Sequence, residues 1–195
     1  MPQGPDGKPV TMRDATLVRV LDALWPPGLP ARMAVFAIID EARDQRIYDA
    51  VDGTLLPKDC LYSGDLPRQL QRTAPYLVQL EREDRFTRYL IDTGWGSSWA
   101  TFLRTETGIK QLRRHLREFL RVRDESGKRL IFRYYDPRVL RVYLPTCWPA
   151  ELDTFFGPIR AFITEGENPG EILEFRNQHG TLASAINGSQ VTDAH

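Results

Sequence analysis

At 195 residues the chain can bury a real hydrophobic core in one sizeable domain, or in a main lobe with a small second one, without a metal or cofactor to hold it together. Apolar residues at 42% and charged residues at 27% are ordinary for a soluble globular protein. The 26 basic and 26 acidic residues cancel, which argues against a dedicated nucleic-acid binder and leaves partners to be read from local patches.

The first ten residues, MPQGPDGKPV, are rich in proline and glycine and read as a flexible N-terminal arm. They lack a basic segment followed by an apolar run, and no later stretch is long and apolar enough to span a bilayer, so neither export signal nor membrane segment is expected. Thr11 and Asp14 resemble a capping arrangement, and Leu17, Val18, Leu21 and Leu24 follow at helical spacing up to Pro26, which predicts a helix over 12–24. MAVFAII (33–39) is a nearly unbroken apolar run, the pattern of a central strand covered on both faces, and Asp40 ends it. A short helix carrying Ile47, Tyr48 and Val51 comes next, then an extended piece at 60–62, helical turns at 67–73 and a strand over APYLVQL (74–80). Residues 86–91 read as helix, GWGSS (94–98) as a turn and 99–103 as strand.

The clearest amphipathic helix spans 107–120, with Ile109, Leu112, Leu116, Phe119 and Leu120 on one face. A hairpin turn at Ser126 and Gly127 leads into LIFRYYDPRVLRVYLP (130–145). Its first half reads as a strand through Tyr135 with Tyr134 and Tyr135 on opposite faces. Asp136 can then cap a helix whose first residue, Pro137, has its φ already set, and Pro145 stops that helix. Residues 151–156 read as a short helix, and 161–164 with 171–175 as paired strands across the GENPG turn. From 177 to 195 the chain is polar and small-residued and reads as a mobile tail. These elements give an α/β fold with a mixed central sheet and flanking helices. The globular domain spans 11–176, and the Pro and Gly boundary at 145–158 could divide off a small helical C-terminal lobe.

Motifs for catalysis are mostly absent from the sequence: neither GxSxG, nor GxxxxGK[ST], nor GxGxxG occurs. His115, His179 and His195 have no metal-ligand spacing, and Cys60 and Cys147 lie in no CxxC or Cys/His pattern, so both read as buried or half-buried small residues in a reducing compartment. Asp40 at a strand end could serve as a general acid or base, or simply as a cap or ion-pair partner. Arg113, Arg114, Arg117 and Arg121, with Arg123, form the conspicuous basic cluster; it reads as a solvated helix face or as a dock for an acidic partner segment.

Phe132–Leu140 (FRYYDPRVL) and Phe155–Pro158 (FFGP), preceded in order by Asp40, Leu61–Gly64 (LYSG) and Pro75–Val78 (PYLV), resemble the domain of type VI secretion effector chaperones, also called adaptor proteins. The resemblance covers about Ala34 to Ile163. It implies a cytoplasmic, non-enzymatic chaperone without cofactor. Such a protein binds a specific effector, through the effector's N-terminal or PAAR-associated region, and promotes its loading onto the VgrG spike, contacting VgrG directly or through cargo. Nucleic acid and membrane are not implied as partners. The signature positions, structural or partner-binding, are Asp40, Tyr62, Tyr76, Phe132, Arg133, Tyr135, Asp136, Pro137, Arg138 and Phe156. Arg133 and Arg138 are expected to pair with Asp136 or Asp40 and hold the strand-to-helix turn. The alternative is a small hydrolase-like enzyme with a cleft near Asp40 and Gly94–Trp99.

Overall fold

The structure, a computed structural model, describes residues 12–62, 73–123, 126–186 and 189–192. Its middle is strand β1 (Ala34–Asp40), which sits between β3 (Pro75–Leu80) and β4 (Ala100–Thr105) and runs antiparallel to both. Ala37 lies opposite Val78 on one side and Phe102 on the other. Every residue from Val35 to Asp40 is buried, as the unbroken apolar run predicts for a strand covered on both faces. Because side chains alternate along a strand, β1 feeds two cores at once. Val35, Ala37 and Ile39 enter one, Phe36 and Ile38 the other.

The first core is closed by α1 (Met12–Leu24), α2 (Gln45–Gly53) and α3 (Arg85–Gly94), which bury Leu21 and Leu24, Ile47 and Val51, and Leu90 and Ile91 against the sheet. Asp44 and Asp84 start α2 and α3 by accepting from the amides of Arg46 (2.9 Å) and Phe86 (2.7 Å), two of the donors a helix start leaves unpaired. The C-terminal end of α2 is closed by Lys58, whose Nζ donates to the carbonyls of Val51, Asp52 and Thr54 at 2.5, 2.7 and 3.1 Å. The second core lies under α4 (Ile109–Glu118), α5 (Pro137–Tyr143) and α6 (Pro149–Phe156), through Leu112 and Leu116, Leu140, and Leu152 with Phe155 and Phe156.

The α/β class with helices flanking a central sheet therefore stands, but the sheet is not mixed. With β2 (Lys58–Cys60), β7 (Ile159–Glu165), β8 (Ile172–Gln178), β9 (Thr181–Ile186) and β10 (Ser189–Thr192), its order is β10-β9-β8-β7-β4-β1-β3-β2, and every described pairing is antiparallel. The helices between strands do not make right-handed crossovers to parallel neighbours. They close both faces of an antiparallel sheet, which gives the same interleaved sequence pattern.

Among the described residues no separate helical C-terminal lobe follows residue 158. β7 pairs with β4, Phe102 opposite Ile163, so the chain returns to the central sheet and continues as strand. The 145–158 stretch holds a 3-10 turn (Leu144–Thr146) and α6. The segment read as a polar tail from 177 supplies the end of β8, then β9 and β10. Its pairing comes from backbone ladders, Phe175 opposite Ser184 and Asn177 opposite Leu182, and from Asn177 Nδ2 donating to Asp153 of α6 at 2.6 Å. The helical turns expected at 67–73 fall largely outside the described residues.

One further correction concerns the signature. A small hairpin, β5 (Arg121–Arg123) with β6 (Arg129–Ile131), precedes it, and β6 stops at Ile131 instead of continuing to Tyr135. The chain turns there, with Asp136 N–H donating to Arg133 O at 2.9 Å. The turn breaks the two-residue alternation, so Tyr134 and Tyr135 are both buried in the second core, their rings 5.8 Å apart and edge-on.

Candidate functional site

The signature residues converge where β1 ends. Asp40 is fully buried. Its amide donates to Trp99 O (2.9 Å), its Oδ1 accepts from Ala42 N–H (3.2 Å), and its Oδ2 accepts from Arg133 Nη2. Arg133 leaves 43% of its side chain exposed and lies over the Tyr135 ring, 6.0 Å from the centroid. Tyr135 is fixed from the sheet side by Thr101, whose hydroxyl donates to Tyr135 O at 2.9 Å. Burial, then Tyr62 and the Asp40 carboxylate, push the Tyr135 hydroxyl above its ordinary range. Tyr134 donates its hydroxyl to Leu116 O at 2.7 Å, which seats the same turn on α4.

Asp136 then begins α5. Its carboxylate accepts from the Arg138 amide (3.0 Å) and from Arg138 Nε (3.0 Å) and Nη2 (2.6 Å), while Pro137 fills the first helical position. Burial alone would raise the Asp136 carboxyl, but the Arg138 hydrogen bonds outweigh it and hold it below the ordinary carboxylate range. The expectation that Arg133 and Arg138 pair with the two aspartates is met, one pair each.

A second set of contacts ties this turn to the GWGSS loop. Glu165 at the end of β7 accepts from Gly96 N–H (2.6 Å), Ser98 N–H (3.0 Å) and Ser98 Oγ (3.0 Å). It thereby holds Ser98 at φ 57°, a left-handed conformation that a non-glycine residue rarely adopts. Arg141 of α5 donates to Glu165 O at 2.7 Å. Through Glu165 and Arg141 the Asp40 and Gly94–Trp99 region is a cross-braced junction of β1, β4, β7 and α5.

Glu41, next to Asp40, was not singled out by sequence. It is 3% exposed, and its Oε2 has no hydrogen-bond partner among the described residues. Burial, then the neighbouring Asp52 carboxylate, push its pKa up to about 8 despite the opposing Lys58 charge. Nearby, Tyr76 of β3 is pushed up to about 12 by burial, then by Cys60 and Glu41. Burial also raises the Cys60 and Cys147 thiols, which fits their reading as half-buried small residues. The signal for Glu41 was the adjacency of two acids at the end of a fully buried strand.

The remaining candidates lie elsewhere. Phe132 packs edge-on against Tyr143 at 4.7 Å, and Phe156 is buried against Phe162 at 5.2 Å, so both serve the second core. His115 meets Phe155 O at 2.9 Å. Gly157 follows α6 at φ 47°, where an added Cβ would lie 2.4 Å from the His115 ring, so the FFGP motif needs its glycine for both conformation and space.

The basic cluster splits in two. Arg113 is structural: Nε donates to Cys60 O (2.6 Å), Nη2 to Tyr62 O (3.0 Å), and Asp59 lies 3.2 Å away. Arg123 closes its own hairpin on Gly127 O at 3.0 Å. Lys110, Arg114, Arg117 and Arg121 make no ion pair with another described residue, and they line a groove of about 730 Å³ with Leu61, Tyr62, Leu120 and Ile131. Among the described residues no helix is long and apolar enough to cross a membrane, and no group of three or more His, Cys, Asp and Glu is placed to hold a metal ion.

Set against known families, residues 35–154, more than half of the chain, match the profile of a family described as Domain of unknown function (DUF4123). No curated protein and no solved structure matches the chain.

Proposed function

The chain belongs to the family described as Domain of unknown function (DUF4123), and from that premise we propose that it is a cytoplasmic chaperone and adaptor that binds one type VI secretion effector and promotes its loading onto the VgrG spike. The observation that carries this reading is the ordered signature, Asp40, LYSG, PYLV, FRYYDPRVL and FFGP, which resembles that of the effector chaperones. Its physical role supports the reading. Asp40 and Asp136 are each bound by an arginine and by backbone amides, so they brace a junction. Beside that junction α4 presents an open groove with cations that no described residue neutralises. A rigid scaffold next to an unsatisfied surface is what a protein needs when its task is recognition.

The test is co-expression of the chain with the effector encoded beside it, and separately with the C-terminal part of VgrG, followed by affinity capture. Capture of the effector, with VgrG retained directly or only when effector is present, is the expected result. Capture of neither, with all partners folded, overturns the reading.

A further inference from the structure

The groove under α4 has two unsatisfied components on one surface. Its cations, Lys110, Arg114 and Arg117 on α4 and Arg121 on β5, meet no carboxylate of another described residue at ion-pair distance. Of its apolar lining residues, Ile131 is open to solvent, while Leu61 and Leu120 are buried in the second core. Ile131 is 57% exposed and stands opposite Arg121 in the hairpin, so a charge and an aliphatic side chain share one hairpin face. On the other face Val122 and Leu130, also paired, are 40% and 42% exposed. A two-stranded ribbon this short is marginal by itself and gains from anything that covers it.

We propose that this groove is the docking site for an acidic amphipathic segment of a protein partner. Its carboxylates would meet Lys110, Arg114, Arg117 and Arg121, and its aliphatic side chains would settle against the exposed Ile131. Charge selects this occupant. The chain as a whole is neutral, so the local excess of cations is not a by-product of a basic protein. Asp59 and Glu118 line the same groove and would oppose a continuous phosphate backbone, and Tyr62 is the one aromatic ring among its described lining residues, a poor platform for stacking bases. The volume, about 730 Å³, suits a few side chains. The identity of the partner as an effector rests on the adaptor reading above; the chemistry of the groove does not.

The experiment is fluorescence anisotropy of the full chain with a labelled peptide of repeated Glu-Glu-Leu-Leu units, a Lys-Lys-Leu-Leu counterpart, a single-stranded DNA and phosphatidylserine vesicles. The Glu peptide should bind, more weakly as salt rises. The double variant Arg114→Glu/Arg117→Glu should lose about tenfold in affinity or more, since two attractions become repulsions. Ile131→Asp should lose several-fold, and Arg85→Glu, on α3 under the opposite core, should stay within about twofold. Absence of Glu-peptide binding, equal binding by the double variant, or tighter binding of DNA or vesicles overturns the proposal. Effector capture separates the two readings. Wild-type capture that persists in the double variant sinks the groove and leaves the adaptor standing. Failure of wild-type capture, with peptide binding as expected, sinks the adaptor and leaves the groove.

Discussion

Two sets of arginines in the same helical layer use their charge in opposite ways. Arg133 and Arg138 are bound to the buried carboxylates of Asp40 and Asp136, and their charge is consumed in holding a turn. Arg114 and Arg117 face a groove and meet no such partner among the described residues. Arg113, one residue from Arg114, belongs with the first set, because its position on α4 aims it at the carbonyls of Cys60, where β2 ends, and Tyr62. Whether an arginine braces or recognises is thus decided by what the fold places opposite it, and neighbours in sequence can differ.

If the first set is structural, breaking it should cost stability. Asp40→Ala removes a fully buried carboxylate, strands Arg133 and frees the Ala42 amide; with Arg133 half exposed, the loss should be about 2–3 kcal/mol in urea unfolding. A loss under about 0.5 kcal/mol would mean that the pair holds nothing. Gly157→Ala should cost about 2 kcal/mol, from the left-handed φ and the His115 contact, and the neighbouring substitution Thr154→Ala much less. Asp136→Ala should lose about 1–2 kcal/mol, the worth of an N-cap strengthened by Arg138. Because the folded Asp136 carboxyl titrates below its ordinary 3.8, the wild-type advantage should be complete above that pH and shrink as pH falls through the lower folded value.

Glu41 gives a trend of the opposite sign. Its folded pKa of about 8 lies above the ordinary 4.5, so its unfavourable contribution grows as pH rises between those values. Glu41→Gln should therefore stabilise by about 1 kcal/mol or more at pH 8 and little at pH 5, read as the difference in Tm shift. Equal shifts at the two pH values would contradict this. The smallest stability effect belongs to the second arginine set: Arg114→Glu/Arg117→Glu should change unfolding free energy by less than about 0.5 kcal/mol.

Sequence made some of this legible. The run MAVFAII announced a strand with two covered faces, and Asp136-Pro137 announced a helix start, because each is a local pattern with one good structural solution. The direction of the strands was not legible, since helices between strands look the same whether they cross to a parallel neighbour or cap an antiparallel sheet. Nor was the early end of β6, because Tyr134 and Tyr135 suit a strand locally and are turned inward by contacts with Leu116 and Thr101. The end of β8, β9 and β10 drew on ladder hydrogen bonds more than on apolar content, so composition undersold them. Asp40 was visible as a strand-end acid. Its partner Arg133 lies 93 positions away, and the reach of Glu165 back to Ser98 spans 67. Such pairings are set by the sheet order and leave no local trace.

The measurement that tests the division most directly is effector capture by two variants side by side, each checked for folding by circular dichroism. The expected result is that Asp136→Ala, though less stable, captures effector wherever it is folded, while Arg114→Glu/Arg117→Glu keeps wild-type stability and loses capture. The contradictory result is the reverse: a folded Asp136→Ala that captures nothing and a charge-reversed groove that captures as well as wild type, which would move recognition from the groove to the signature turn itself.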